Sequence, residues 1–263
     1  MARAPVRSGR RPGHAARGEA LIEYTVTLED GPDRDPAEES FTVTFASGRK
    51  QRIGLHDYDR MYAIAGLYEE VVHRLLECAS PAKLADVLLR VAVLEGRSPH
   101  LLRVLDLGAG NGLVGVELRE RGVVVLAGTD SARRAREAAN RDHPGLYASY
   151  VLADANGQPA ELGSLVRELG INCIVCAGAL GFEHIEAQSF TELWDLLPPG
   201  AMFSLTVHEQ LAEPGASDIG DELALLRAGH AGTEIVVSER FRHRVSVTGE
   251  PIYYLAIGAR KSS

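Results

Sequence analysis

The sequence predicts an α/β chain. Its main part is a mostly parallel, doubly wound sheet of seven strands that finishes in a C-terminal antiparallel hairpin. A small β-hairpin and a helical lid precede it. Three observations predict this. From residue 103 onward, near-continuous apolar runs alternate with amphipathic segments, the pattern of parallel strands covered by helices on both faces. A glycine-rich turn, "GAGNG", joins the first such run to the first such helix. Finally, "TEIVVSERFRHRVSVTGEPIYYLAIGAR" holds two β-rich runs joined by the turn signal "TGEP", which no βαβ unit would need.

The elements follow in order. Residues 1–20 carry five arginines and one glutamate and read as a disordered basic tail, with no apolar segment that would make a signal peptide. Residues 21–100 form the accessory region. "LIEYTVTLED" and "SFTVTFASGRKQRI" alternate as strands around the turn-rich "GPDRDPAEE", predicting a β-hairpin. "DYDRMYAIAGLYEEVVHRLLECASPAKLADVLLRVAVLEG" is helical in period. Leu67, Val71, Val72, Leu75 and Leu76 share one face, and Pro81 opens a second helix. Residues 101–263 form the main domain. Its strands are "RVLDLG", "VVVLAGTD", "YASYVLAD", "NCIVCAGAL" and "AMFSLTV", then the hairpin. Helices "LVGVELRERG", "SARRAREAANRD", "AELGSLVRELG" and "SFTELWDLLPPG" lie between them.

Composition narrows the function. Of 263 residues, 45% are hydrophobic and 24% charged, the balance of a soluble globular protein, and no apolar run is long enough to cross a membrane. The chain carries −8 overall and residues 21–263 carry −12, which disfavours a nucleic-acid partner. Three cysteines make no disulfide framework. Cys173 and Cys176 have redox-motif spacing, but on a strand residues three apart face opposite ways, so both read as core. A reducing cytoplasm fits. No His, Asp and Glu spacing suggests a metal site.

The glycine turn needs a ligand. Gly110, Gly112 and Gly115 satisfy the dinucleotide spacing G-x-G-x-x-G. Asp106 argues against that reading. It ends the strand two residues before Gly108, where it would repel a diphosphate and suit a ligand amino group. Asp130 ends the next strand, 18 residues after Gly112, where a carboxylate can accept from a ribose diol, although it could also cap the helix behind it. Asp154 ends the third strand, placed for an adenine amine, although "DANG" also reads as a turn. Together these parts describe a nucleoside joined to an amino acid.

With these residues in hand, "VLDLGAGNG" resembles the first motif of the class I S-adenosylmethionine-dependent methyltransferases, whose domain is Rossmann-like. "GTDSARRAREAA", "LADA", "INCIVCAGALGF" and "LLPPGAMFSLTV" are similar to that family's later segments in order, over about residues 100–261. The resemblance implies S-adenosyl-L-methionine as cofactor. Asp106, Gly108, Ala109, Gly110 and Gly112 would hold its methionine part. Asp130 and Ser131 would hold the ribose, and Asp154 and Ala155 the adenine. Ala177 and Gly178 would face the reactive centre. The fourth strand lacks the signatures of methyltransferases that act on nucleobases, so the expected acceptor is an O, N or C nucleophile of a small molecule, with neither nucleic acid nor membrane as partner. His184 is the candidate catalytic residue, His208 a second rim position, and Tyr58 and Tyr62 would close over the cofactor. A protein side-chain methyltransferase, a non-catalytic cofactor-binding regulator and an NAD(P)-dependent oxidoreductase stand as alternatives.

Overall fold

The computed structural model describes residues 23–29, 38–153, 159–180 and 185–262. The chain packs as two compact units, Met1–Cys78 with His243–Ile252, and Ala79–Arg242 with Tyr253–Ser263. The sequence reading divides the chain at residue 100. In the structure the division falls at Cys78, because α2 (Ser80–Leu94) belongs with the larger unit. Its buried Leu84, Val87, Leu88 and Val91 recur at helical spacing. The helix packs against β8 (Met202–His208), where the Ser204 hydroxyl donates to the Leu84 carbonyl at 2.9 Å.

In the larger unit, strands β4 (Arg103–Leu107), β5 (Val125–Asp130), β6 (Ser149–Leu152), β7 (Cys173–Ala177), β8, β9 (Thr233–Val245) and β10 (Pro251–Lys261) form one sheet in the order β6-β5-β4-β7-β8-β10-β9. Pairing is parallel from β6 through β8, and β10 runs antiparallel to β8. Helices α3 (Leu113–Glu120), α4 (Arg133–Asp142), α5 (Pro159–Leu169) and α6 (Ala187–Asp195) fall between the parallel strands. One core lies between the sheet and α2 and α3, the other between the sheet and α5, α6 and α7 (Asp218–Arg227). Cys173 joins the first core and Cys176 the second, so the two thiols do face opposite ways, and burial pushes each up to about 12. Strand order reverses between β4 and β7. That switch point, at the carboxyl ends of the strands, is where ligands of open α/β sheets bind.

The smaller unit corrects the expected hairpin. β1 (Tyr24–Leu28), β2 (Ser40–Phe45) and β3 (Lys50–Gly54) form a three-stranded antiparallel sheet. The run read as one strand folds back at "FASGRK", where the Gly48 amide donates to the Phe45 carbonyl at 2.8 Å. The core joins Val26, Phe41, Val43 and Ile53 to Met61, Leu67, Val71 and Leu76. Met61 lies on α1 (Tyr58–Tyr62), Leu67 between it and a π-helical turn, Glu69–Leu75, Val71 on that turn, and Leu76 caps its end. Glu39 and Arg244 form a buried ion pair at 2.7 Å, and Glu39 also accepts the Val247 amide at 2.7 Å. Among the described residues, no helix is long and apolar enough to cross a membrane.

Candidate functional site

The β4–α3 turn stands at the switch point. Gly112 caps α3 with φ of 99°, a conformation side chains rarely adopt. The turn closes on itself and on β5. The Ala109 amide donates to the Thr129 carbonyl at 2.9 Å, the Gly112 amide to the Ala109 carbonyl at 2.9 Å, and the Gly110 amide to Asp130 Oδ2 at 2.9 Å. Three loop amides are therefore engaged by the protein itself. That arrangement withdraws them from any phosphate.

Asp130 is half-buried at the end of β5. Besides Gly110 it accepts the Ala132 amide through Oδ1 at 2.8 Å. The N-cap of α4 is Ala132, so Asp130 does not cap the helix; it forms a two-residue turn that leads into it. A carboxylate has about four acceptor positions, and these two amides take one on each oxygen. Ser131 follows on the exposed surface.

Asp106 is only 1% exposed. Its Oδ2 accepts the Tyr147 hydroxyl at 2.7 Å, while Oδ1 is buried without a partner in hydrogen-bond geometry. Burial raises its pKa to about 7. The Tyr147 hydrogen bond opposes that rise, the Asp130 charge adds to it, and the Gly115 amide opposes it least. Asp106 thus acts from beneath the loop. Tyr147 stands edge-on to Tyr150, ring centroids 5.3 Å apart, and the Tyr150 hydroxyl donates to the Gly110 carbonyl at 2.7 Å. Gly115 makes room for this pair: a Cβ there would lie 2.8 Å from the Tyr147 hydroxyl oxygen. The sequence reading names neither tyrosine. The one signal was Gly115 itself, a glycine inside a helix, which marks a close approach by something.

At the other side of the switch point, Ala177 ends β7 half-buried, and the exposed Gly178 donates its amide to the Thr206 carbonyl at 3.2 Å. His208 lies edge-on to Tyr254, centroids 5.3 Å apart. Its Nδ1 accepts the Gln210 amide at 3.3 Å, which in the neutral ring places the proton on Nε2. Asp154, Ala155 and His184 lie outside the described residues. Tyr58 and Tyr62 belong to the smaller unit, where they and Tyr68 form a cluster with centroids 5.3 to 6.3 Å apart. Among the described residues, no three His, Cys, Asp or Glu side chains are grouped to hold a metal.

The comparisons with known proteins agree with the family read from the motifs. No family model matches the chain. Over 152 residues it is 32% identical to human methyltransferase-like protein 27, a match that covers 58% of this chain and 56% of that protein. The chain therefore spans little more than half of that relative's length. Among solved structures, the plantazolicin methyltransferase BpumL in complex with SAH superposes with a TM-score of 0.51 at 11% identity, covering 80% of this chain and 98% of that one. A SAM-dependent methyltransferase from Anabaena variabilis gives 0.46 at 16% identity, covering 80% and 96%.

Proposed function

We propose that this chain, whose fold is that of the class I S-adenosylmethionine-dependent methyltransferases, is an enzyme that transfers a methyl group to an O, N or C nucleophile of a small molecule. One observation carries the choice of cofactor over a dinucleotide. The glycine loop is flanked by two carboxylates, Asp106 and Asp130, and its Ala109, Gly110 and Gly112 amides are already given to protein acceptors. A diphosphate would meet negative charge and no free cradle from these three amides. A ligand with an ammonium and a ribose diol meets what it needs.

The residues fit S-adenosylmethionine. Asp106 has a buried acceptor, Oδ1, with no donor, and an ammonium above the loop would supply the missing positive field. Asp130 would accept from the ribose diol while holding Gly110 in place. Ser131 lies beside it, and Asp154 and Ala155 would flank the adenine. When bound, the cofactor supplies a methyl group on a sulfonium, already a strong electrophile. The protein's task is then to place the acceptor in line with it and exclude water, which needs no strong base. Ala177 and Gly178, at the end of β7, would leave room for the acceptor. His208 would orient it as a hydrogen-bond donor, and His184 remains the proposed base. The three described cysteines are all buried and none is in a disulfide, which suits a reducing cytoplasm.

Calorimetry with S-adenosylhomocysteine and with NADH tests the reading. Tight binding of the first and none of the second is expected. The reverse result would turn the reading to an oxidoreductase. Turnover of labelled cofactor in small-molecule extracts is expected. Labelling confined to protein would replace the acceptor class, and no labelling despite tight binding would make the chain a regulator.

A further inference from the structure

We propose that Tyr147 is a positioning residue of the cofactor site: its hydroxyl holds the Asp106 carboxylate ready beneath the glycine loop, and so tunes the pH range over which the loop takes a ligand bearing an ammonium group. The inference rests on the cofactor proposed above.

Geometry supports it first. The Tyr147 hydroxyl donates to Asp106 Oδ2 at 2.7 Å, a bond that only an ionised carboxylate or the carbonyl oxygen of a protonated one can receive. The ring is fixed on two sides. Tyr150 stands edge-on at 5.3 Å, and Gly115 is so close that a methyl group there would collide with the hydroxyl. Tyr150 in turn donates to the Gly110 carbonyl, so the two tyrosines brace the strand end and the loop together.

Electrostatics supplies the consequence. The titratable groups facing Asp106 are Tyr147, Asp130 of β5, Tyr150 of β6 and Cys176 of β7, with the Gly115 amide above. None of these is a cation. Burial and the Asp130 charge favour the protonated acid, and Tyr147 is the largest influence that favours the carboxylate. Near neutrality Asp106 is therefore divided between two forms, and a bound ammonium favours the ionised one. Ligand affinity rises as Asp106 ionises.

The test is calorimetry of S-adenosylhomocysteine on the full chain between about pH 6 and about pH 8, a range in which the ligand's own charges change little beside a group titrating near 7. For the wild type, affinity should rise with pH through neutrality. Tyr147→Phe should bind roughly tenfold more weakly at the acid end and about fivefold more weakly at neutral pH, with the rise displaced upward and the two curves closing toward the alkaline end, because a lost hydrogen bond worth one pKa step is tenfold where both carboxyls are mostly protonated. Asp106→Asn should flatten the profile. A Tyr147→Phe deficit of equal size at every pH would assign the tyrosine a structural role only and overturn the proposal, as would a variant that matches the wild type. A wild type that binds no S-adenosylhomocysteine at any pH defeats the cofactor reading, and this inference with it. A ligand-free measurement stands beside these: carbon-13 titration of the Asp106 carboxyl in the wild type should show a midpoint near neutrality, and an ordinary carboxylate midpoint would overturn the proposal even if Tyr147→Phe fails to fold.

Discussion

Asp130 receives the Gly110 amide at 2.9 Å, so one side chain on β5 sets the shape of a loop that grows from β4. The same carboxylate takes the Ala132 amide at 2.8 Å and leads the chain into α4. The residue proposed to bind the ribose is thus also the residue that builds the site around it.

Asp130→Ala should therefore cost more than a ligand contact. It frees two backbone amides and removes the proposed diol acceptor at once. Hydrogen bonds to charged groups are worth about 1.5–3 kcal/mol each, so the expected loss in S-adenosylhomocysteine binding is about 2–4 kcal/mol. Asp130→Asn keeps one oxygen and should fall between the variant and the wild type. Calorimetry checks both, and full affinity in Asp130→Ala would remove the residue from the site.

Gly115→Ala tests the tyrosine brace. An added Cβ would lie 2.8 Å from the Tyr147 hydroxyl oxygen, closer than real Cβ atoms come, and 3.0 Å from its Cζ, tighter than most packing allows. Alanine normally stabilises a helix interior by about 1 kcal/mol over glycine. Here overpacking, typically 1–3 kcal/mol, should outweigh that gain and lower the melting temperature by a few degrees. A melting temperature above that of the wild type would mean that Tyr147 moves aside at little cost.

Much of this was legible in the sequence because it is local. The apolar runs from "RVLDLG" to "AMFSLTV" announce buried parallel strands, and Asp106 and Asp130 stand out as carboxylates at strand ends beside glycine. What was missed depends on distant partners or weak pattern. Tyr147 and Tyr150 matter because the fold brings them to Asp106 and Gly110, some 40 residues earlier in the chain. β2 and β3 merged into one run because the four-residue turn between them holds only one glycine. α7 went unread; its N-cap, Ser217, accepts the Gly220 amide at 3.2 Å, but glycines surround the helix in sequence and blur its period. Position in the chain places α2 in the accessory region, whereas its apolar stripe packs on β8.

In the smaller unit, Arg244→Met should be severely destabilising. Arg244 and Glu39 are 9% and 2% exposed and lie 2.7 Å apart, so the substitution leaves a carboxylate buried without its cation. Breaking such a pair from one side costs about 3–5 kcal/mol. Glu39→Gln should destabilise as well, because the carboxylate serves the Val247 amide through Oε1 and Arg244 through Oε2, and the amide would put an NH2 donor at one of these two places. Hydrogen exchange at β2 and Val247 is the measurement, and slow exchange preserved in Arg244→Met would show that the pair is replaceable.

Asp106→Asn separates stability from binding through pH. Burial first of all lifts the Asp106 pKa to about 7, well above the unfolded value of about 4. Between those values the folded protein holds a proton that the unfolded chain has released. Its contribution to stability is complete below about pH 4 and is lost as pH rises to about 7. Above that, the folded wild type carries a buried anion held chiefly by the Tyr147 hydroxyl. The amide introduced by the substitution would be neutral at every pH and nearly the same shape. Denaturant unfolding at about pH 8 should therefore find Asp106→Asn more stable than the wild type, by up to about 4 kcal/mol, with the advantage shrinking toward zero in acid. The same substitution should weaken S-adenosylhomocysteine binding most at the alkaline end. A variant less stable than the wild type at about pH 8 would mean that the ionised carboxylate is better solvated in the fold than Tyr147 and the Gly115 amide allow.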